Sequence, residues 1–344
     1  MAEIEERPEA PRRAPSMADV ARHAGVSAQT VSRVANGLTN VDDTTRDRVR
    51  VSMHALGYRP NGAARALKTG RFNTVGVIVF TLKTFGNVRT LDAIAVAAAQ
   101  ADYAVTLIPV PDPTLGAVSG AYRRLTQQAV DGIIMIFEAE LLDHVEVSFP
   151  PGLPVVLIDS NGGSGYSVVD VDQAEGARNA TAHLLALGHS QVWHIAGPES
   201  SFSAMHRIES WRETLLAAGI TPPEPLHGDW STESGYQRGL ELGRNPDVTA
   251  IFVANDQMAL GAMKALHELG RDIPGDISIV GFDDMDEAGA FWPPLTTVRQ
   301  DFSNVGRVAV EKLLAQIDDP TKPAETTFIS TQLIVRESSA AAKA

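Results

Sequence analysis

At 344 residues the chain is long enough for a large two-lobed core, or for a small domain joined to a bigger one, and two or three domains are expected. The absence of cysteine excludes disulfides, thiol nucleophiles and thiolate metal sites, and no apolar run approaches the roughly 18–20 residues of a membrane span. The net charge of −13 is uneven: between Ser16 and Arg71 nine basic residues face four acidic ones, about +5, which leaves about −18 for the rest. A basic module on an acidic body is the charge pattern of a nucleic-acid-binding segment. Residues 1–15 mix acids, arginines and prolines and contain no apolar h-region. They read as a disordered tail, not a secretory signal, and the expected location is cytoplasmic.

In Met17–Asn36, MADVARHAGVSAQTVSRVAN, Val20, Ala21 and Ala24 share one helical face, Gly25 supplies a turn, and Ser27 is placed to cap a second helix. There Val31, Val34 and Ala35 point one way, while Ala28, Gln29, Ser32, Arg33 and Asn36 point the other. Two short helices, a tight turn and a polar stripe opening the second helix are what a helix-turn-helix needs to reach base edges in the major groove. Gln29 suits adenine, and Arg33 suits guanine or phosphate. Thr44 and Thr45 are expected to open a third helix, whose Val49, Met53 and Leu56 complete a small core. Asn61–Lys68 is alanine-rich, yet too short for a stable isolated helix.

The run DVARHAGVSAQTVSRVAN, followed by GYRPNGAARALKTG, closely resembles the headpiece and hinge of the LacI/GalR family of bacterial repressors. The resemblance implies a headpiece over residues 16–60 and a hinge over 61–71. It implies DNA contacts from Ser27, Ala28, Gln29, Thr30, Ser32, Arg33 and Asn36, and from Asn61, Ala64 and Leu67 in the hinge. Two hinge helices would pair across a dimer axis on DNA, with Leu67 wedged into the minor groove.

Beyond Arg71 short apolar runs alternate with helical stretches: TVGVIVF, YAVTLIPV, GIIMIF, PVVLID, QVWHIAG, TAIFVAN and ISIVGFD. Continuous Val/Ile runs separated by helices indicate parallel strands covered on both faces. Asp170–Gln173 (DVDQ) and Thr297–Asp301 (TVRQD) read as irregular crossings between two doubly wound lobes. The expected core spans 72–336, with one lobe at about 72–171 and 300–328, the other at about 172–299 and 329–336, and a tail at 337–344. This stretch resembles the periplasmic-binding-protein-like effector domain of the same family, so the likeness runs from about Ser16 to about Arg336.

Ligands bind at the carboxyl edges of open α/β sheets. Phe80, Asp159, Asn255 and Asp283 end strands there, and Arg207 and Trp230 add a guanidinium and a second ring. Such a lining suits a sugar, whose hydroxyls donate and accept while its C–H faces pack on rings. By resemblance SAMHRIESW, HGDWSTESGY, VANDQMALGAM, GFDD and PPLTTVRQDF are closest to a galactoside-binding family member. There the residues matching Arg207, Trp230, Asn255 and Asp283 line the inducer pocket, Asp159 holds another pocket position, and Gln300 stands at the crossover. Thr81–Thr90 does not match that member's pocket wall, and Met205 replaces an arginine, so the sugar's identity stays open. Asn255 and Asp256 also read as plain helix N-caps, and Trp211 as core. The scattered histidines form no metal-ligand pair and Gly162 begins a loop, so neither a metal nor a cofactor is expected.

These readings converge on a repressor that holds a palindromic operator as a homodimer and releases it on binding a sugar. A non-sugar effector or a partner protein is the alternative. An enzyme using Asp159 and Asp283 as an acid/base pair is the rival from another class, opposed by the DNA-reading module. A two-fold operator demands a C2 dimer, and SAAAKA is too short for the heptad tail of tetrameric members.

Overall fold

The protein is described from a computed structural model covering residues 13–59, 66, 70–110, 114–136, 153–160 and 165–343. It divides into two compact units, residues 1–72 and 73–344. The hinge residues Asn61, Ala64 and Leu67 lie outside the described residues.

The first unit holds α1 (Met17–Ala24), α2 (Ala28–Ala35) and α3 (Asp43–Leu56). A reciprocal Ser16–Asp19 capping box starts α1, and Gly25, at φ 68°, ends it in the left-handed conformation that glycine adopts without steric cost. Val20, Ala21, Ala24, Val31, Val34, Val41 and Val49 form the core, with Met53 and Leu56 partly buried against it. The third helix begins one residue earlier than its threonines suggest. The Asp42 carboxylate accepts the Thr45 N–H at 2.9 Å and the Thr44 hydroxyl at 2.6 Å, so Asp42 is the cap.

In the second unit β1 (Thr74–Val79), β2 (Ala104–Pro109), β3 (Gly132–Ile136), β4 (Val155–Ile158), β5 (Ser167–Val171) and β11 (Thr326–Ile329) form one sheet, ordered β11-β5-β4-β3-β1-β2 and parallel throughout. Its apolar residues are packed on both faces, by α4 (Phe85–Gln100) and α10 (Phe302–Asp318) on one side and α5 (Leu115–Gln127) on the other. The second sheet contains β6 (Trp193–Ala196), β7 (Leu226–His227), β8 (Ala250–Val253), β9 (Ser278–Asp283), β10 (Thr296–Arg299) and β12 (Gln332–Ile334), ordered β12-β10-β9-β8-β6-β7. It lies between α6 (Gln173–Ala186) with α7 (Phe202–Ala217) and α8 (Thr232–Gly243) with α9 (Asp256–Glu268). Trp211 is fully buried, its indole N–H donating to Val192 O at 3.1 Å.

Three details depart from the sequence reading. Edge strand β12 runs antiparallel to β10. TVR and DV, read as irregular crossings, are the ends of β10 and β5, so the passages between sheets shrink to Gln300–Asp301 and Asp172. The segment 337–343, read as a tail, is docked. Ser338 is fully buried, its carbonyl accepting the Ile279 N–H at 2.7 Å, and Ala342 N–H donates to Leu187 O.

Helices α8 and α9 touch backbone to backbone through two glycines. A Cβ on Gly261 would stand 1.9 Å from Thr232 O, and one on Gly235 would stand 2.1 Å from Met258 O. Gly261→Ala should therefore force the helices apart at a cost of about 1–3 kcal/mol. Calorimetry should show the core transition lowered by about 2–4 °C per kcal/mol; an unmoved transition would contradict this close approach.

Candidate DNA-reading face and inter-lobe crevice

On the headpiece, Ser27, Ala28, Gln29 and Asn36 are exposed and Thr30, Ser32 and Arg33 half-buried. Several of their polar groups are already engaged within the helix. Ser27 Oγ accepts the Thr30 N–H at 3.1 Å and lies 2.9 Å from Thr30 Oγ1, and Asn36 Nδ2 donates to Ser32 O at 2.7 Å. Among the described residues Gln29 and Arg33 make no such side-chain bonds, and their i, i+4 spacing puts both on one face. Asp19, Asp43 and Asp47 pair with Arg22, Arg46 and Arg50 within their own helices. Those pairs leave Arg33 and Arg48 without an acidic partner among the described residues.

In the core, chain order reverses about β1 and β6, and the crevice opens at the carboxyl ends of the strands. Asp159, Arg207, Trp230, Asn255, Asp283 and Gln300 all line it. The enclosed space is small, about 70 Å³, so the lobes stand close together around it. Asp159, Trp230 and Asp283 have φ of 56°, 70° and 112°, a conformation non-glycine residues rarely adopt and which concentrates at functional sites.

Arg207 stands at the centre, 4% exposed. Its Nε donates to Gln173 Oε1 at 2.9 Å and its Nη1 to the Ala254 carbonyl. Its guanidinium lies 3.7 Å from the Phe282 ring centroid and 5.5 Å from that of Trp230. Burial lowers the arginine's pKa, and Asp283, Asp159, Asp170 and Asp256 act against that shift. Each ring needs a glycine beneath it, because a Cβ on Gly197 would meet Trp230 at 2.3 Å and one on Gly176 would meet Phe282 at 2.6 Å. Asn255 is both helix cap and crevice wall. Its Oδ1 accepts the Met258 N–H at 2.8 Å and its Nδ2 holds Trp230 O at 3.1 Å.

Gln173 and Gln300, beside the two crossings, join Arg207 to Asp283. Gln173 Nε2 donates to Gln300 Oε1 at 3.3 Å, and Gln300 Nε2 donates to Asp283 Oδ1 at 2.5 Å. The cation at one end and the carboxylate at the other fix the direction of both amides. Ser330–Thr331, the passage from β11 to β12, is tied in as well, by Asp172 N–H to Ile329 O at 2.9 Å and Thr331 N–H to Glu175 at 2.8 Å.

Phe80, expected at the crevice, is not part of it. It shares strand parity with Ile78 and packs with Ile78, Val110 and Tyr122 on the α5 face. The aromatic side chains on that wall are Phe85 and Phe302, edge to face at 5.9 Å. Sequence reasoning also missed Asp170, Gln173, Asn87 and Thr90. A polar residue ending a β-rich run was the available signal for Asp170; buried Asn87 and Thr90 carry none beyond their place in the unmatched Thr81–Thr90 stretch.

A helix-turn-helix unit followed by a two-sheet core with a polar crevice defines a ligand-responsive DNA-binding regulator. The family model for bacterial regulatory proteins, lacI family, matches residues 16–61, and that for the periplasmic binding protein-like domain matches residues 181–339. The lactose operon repressor of Escherichia coli strain K12 is 37% identical over 298 residues, 86% of this chain and 83% of the relative. The regulator CelR of Thermobifida fusca is 34% identical over 346 residues, 95% and 99% of the two chains, and a CelR–cellobiose complex gives a TM-score of 0.69 at 31% identity, covering 94% and 99%. A crystal structure of the lac repressor dimer bound to operator and the anti-inducer ONPF gives a TM-score of 0.86 at 34% identity, covering 96% of this chain and 100% of that one. The chain belongs to the LacI family of DNA-binding transcriptional regulators.

Burial raises the Asp170 carboxyl to about 7 and Asp283 to about 6, and pushes Asp256 well above 3.8. For Asp170 the folded state keeps a proton that the unfolded chain gives up near pH 4. Stability therefore declines as pH rises from about 4 to 7, and the full cost is present above that. Asp170→Asn should raise the core Tm at pH 8 by several degrees, about 2–4 °C per kcal/mol recovered, and leave it nearly unchanged at pH 4. A gain independent of pH would contradict burial of an ionising carboxyl.

Proposed function

We propose that the chain is a repressor that grips a palindromic operator as a homodimer and lets go when a small sugar fills the crevice. The observation that carries this reading is Arg207, desolvated between two rings and surrounded by carboxylates on a cavity wall. Rings stack on the C–H faces of a pyranose, while carboxylates and amides take its hydroxyls. The lac repressor dimer with operator and ONPF, and CelR with cellobiose, support both the assembly and the ligand class. A galactoside is the first sugar to test, given the identity with the lactose operon repressor.

Gln29 and Arg33 read bases or phosphate. Ala28 meets a base edge by apolar contact, and Ser27, Thr30, Ser32 and Asn36 set the helix terminus against the backbone. Asn61, Ala64 and Leu67 supply the minor-groove contacts. Sugar shifts the population between two lobe arrangements, and operator affinity falls by the ratio of sugar affinities for the two states.

Asp283→Ala removes the carboxylate at the end of the amide chain and leaves the headpiece untouched. In an anisotropy titration it should bind operator as the parent does and lose release by sugar. Loss of operator binding as well would give Asp283 a structural role and overturn this assignment.

A further inference from the structure

Among the described residues the ionisable lining of the crevice is Asp159, Asp170, Asp283 and one guanidinium, with Asp256 buried behind, so carboxyl groups outnumber cations there. Arg207 gives Nε to Gln173 and Nη1 to the Ala254 carbonyl, and it acts on Asp170 and Asp283 through space, with no direct hydrogen bond to either among the described residues. Asp283 is held by Gln300. Asp170 is 7% exposed and lines the cavity. Its Oδ1 accepts the N–H of the next residue, Val171, at 2.7 Å, and its carboxylate makes no other hydrogen bond or ion pair among the described residues.

A buried carboxylate facing a cavity is stabilised most by a partner that both donates and carries positive charge. A sugar hydroxyl donates one proton and leaves the negative charge in place, whereas a protonated amine offers three donors and cancels it. The rings of Phe85, Trp230 and Phe302 also line this cavity, and a protonated amine tolerates aromatic neighbours better than an anion does. Phosphorylated or carboxylated sugars would meet like charge instead.

Building on the sugar-effector reading, we propose that Asp170 is a specificity-determining residue and that the effector is an amino sugar whose ammonium group seats against it. The test is calorimetric titration of the full-length protein with paired probes: galactose and galactosamine, glucose and glucosamine, and cellobiose and the β-1,4-linked glucosamine dimer, with the N-acetylated forms as uncharged controls. In at least one pair the amine should bind at least about tenfold tighter than both its hydroxyl parent and its N-acetyl form, and Asp170→Asn should bring that ratio close to one. Neutral sugars that bind as tightly as their amines, or an amine preference that survives in Asp170→Asn, would overturn this inference and leave the sugar-responsive reading standing. Failure of every sugar, charged or neutral, to bind would overturn both. Because the wild-type ratio between amine and N-acetyl forms is decisive by itself, the test does not depend on the variant folding.

Discussion

A guanidinium removed from water is tolerated only where hydrogen bonds, ring faces and negative charge together replace its hydration. Arg207 imposes that requirement on the whole core. One nitrogen is met from the start of α6 and another from the residue after β8, while a ring face comes from β9. The glycines at 176 and 197 exist so that Phe282 and Trp230 can lie flat beside it. Both rings and Asp283 come from the side of the second sheet, whereas Asp159 and Asp170 approach the same cavity from strand ends of the first. The crevice is thus the place where the two halves of the core are fitted to each other.

The same network supplies a route from ligand to lobe geometry. Gln173 and Gln300 lie beside the two central crossings, and their amides are oriented by charges that a ligand would contact. A ligand that donates a hydrogen bond to Asp283 or accepts one from Arg207 changes what holds these crossings together. Linkage requires a two-state element biased by occupancy, and under the proposed mechanism these crossings fill that place. The acidic core adds nothing attractive to DNA, so operator affinity rests on the basic headpiece, where most carboxylates are already paired to arginines in their own helices.

Much of this was legible in the residues. The headpiece declared itself through caps and turns, because Ser27 and Gly25 act locally and local geometry is written in local sequence. The seven long apolar runs are all strands, since a strand buried on both faces needs unbroken β-branched residues. Short strands at sheet edges, such as β7 and β12, escaped notice because an edge strand can be brief and half polar. Phe80 was misplaced by a rule that stops at the strand end and ignores parity: one residue decides which side of a sheet a ring occupies. Asp170 and Gln173 were read as a mere crossing, since nothing in four residues reveals that an arginine 34 positions away will turn toward them. The docked C-terminus was hidden for the same reason, as Ser338 gains its partners from β9 and the start of β10.

Central to this account is that crevice and headpiece are linked thermodynamically, and linkage is reciprocal. The most direct measurement is the affinity of the tightest-binding sugar in the absence and presence of saturating operator, set beside the affinity of operator without and with saturating sugar. The account predicts that the two ratios agree and exceed about fivefold, the lower end of typical allosteric coupling. A sugar affinity indifferent to operator DNA would contradict it.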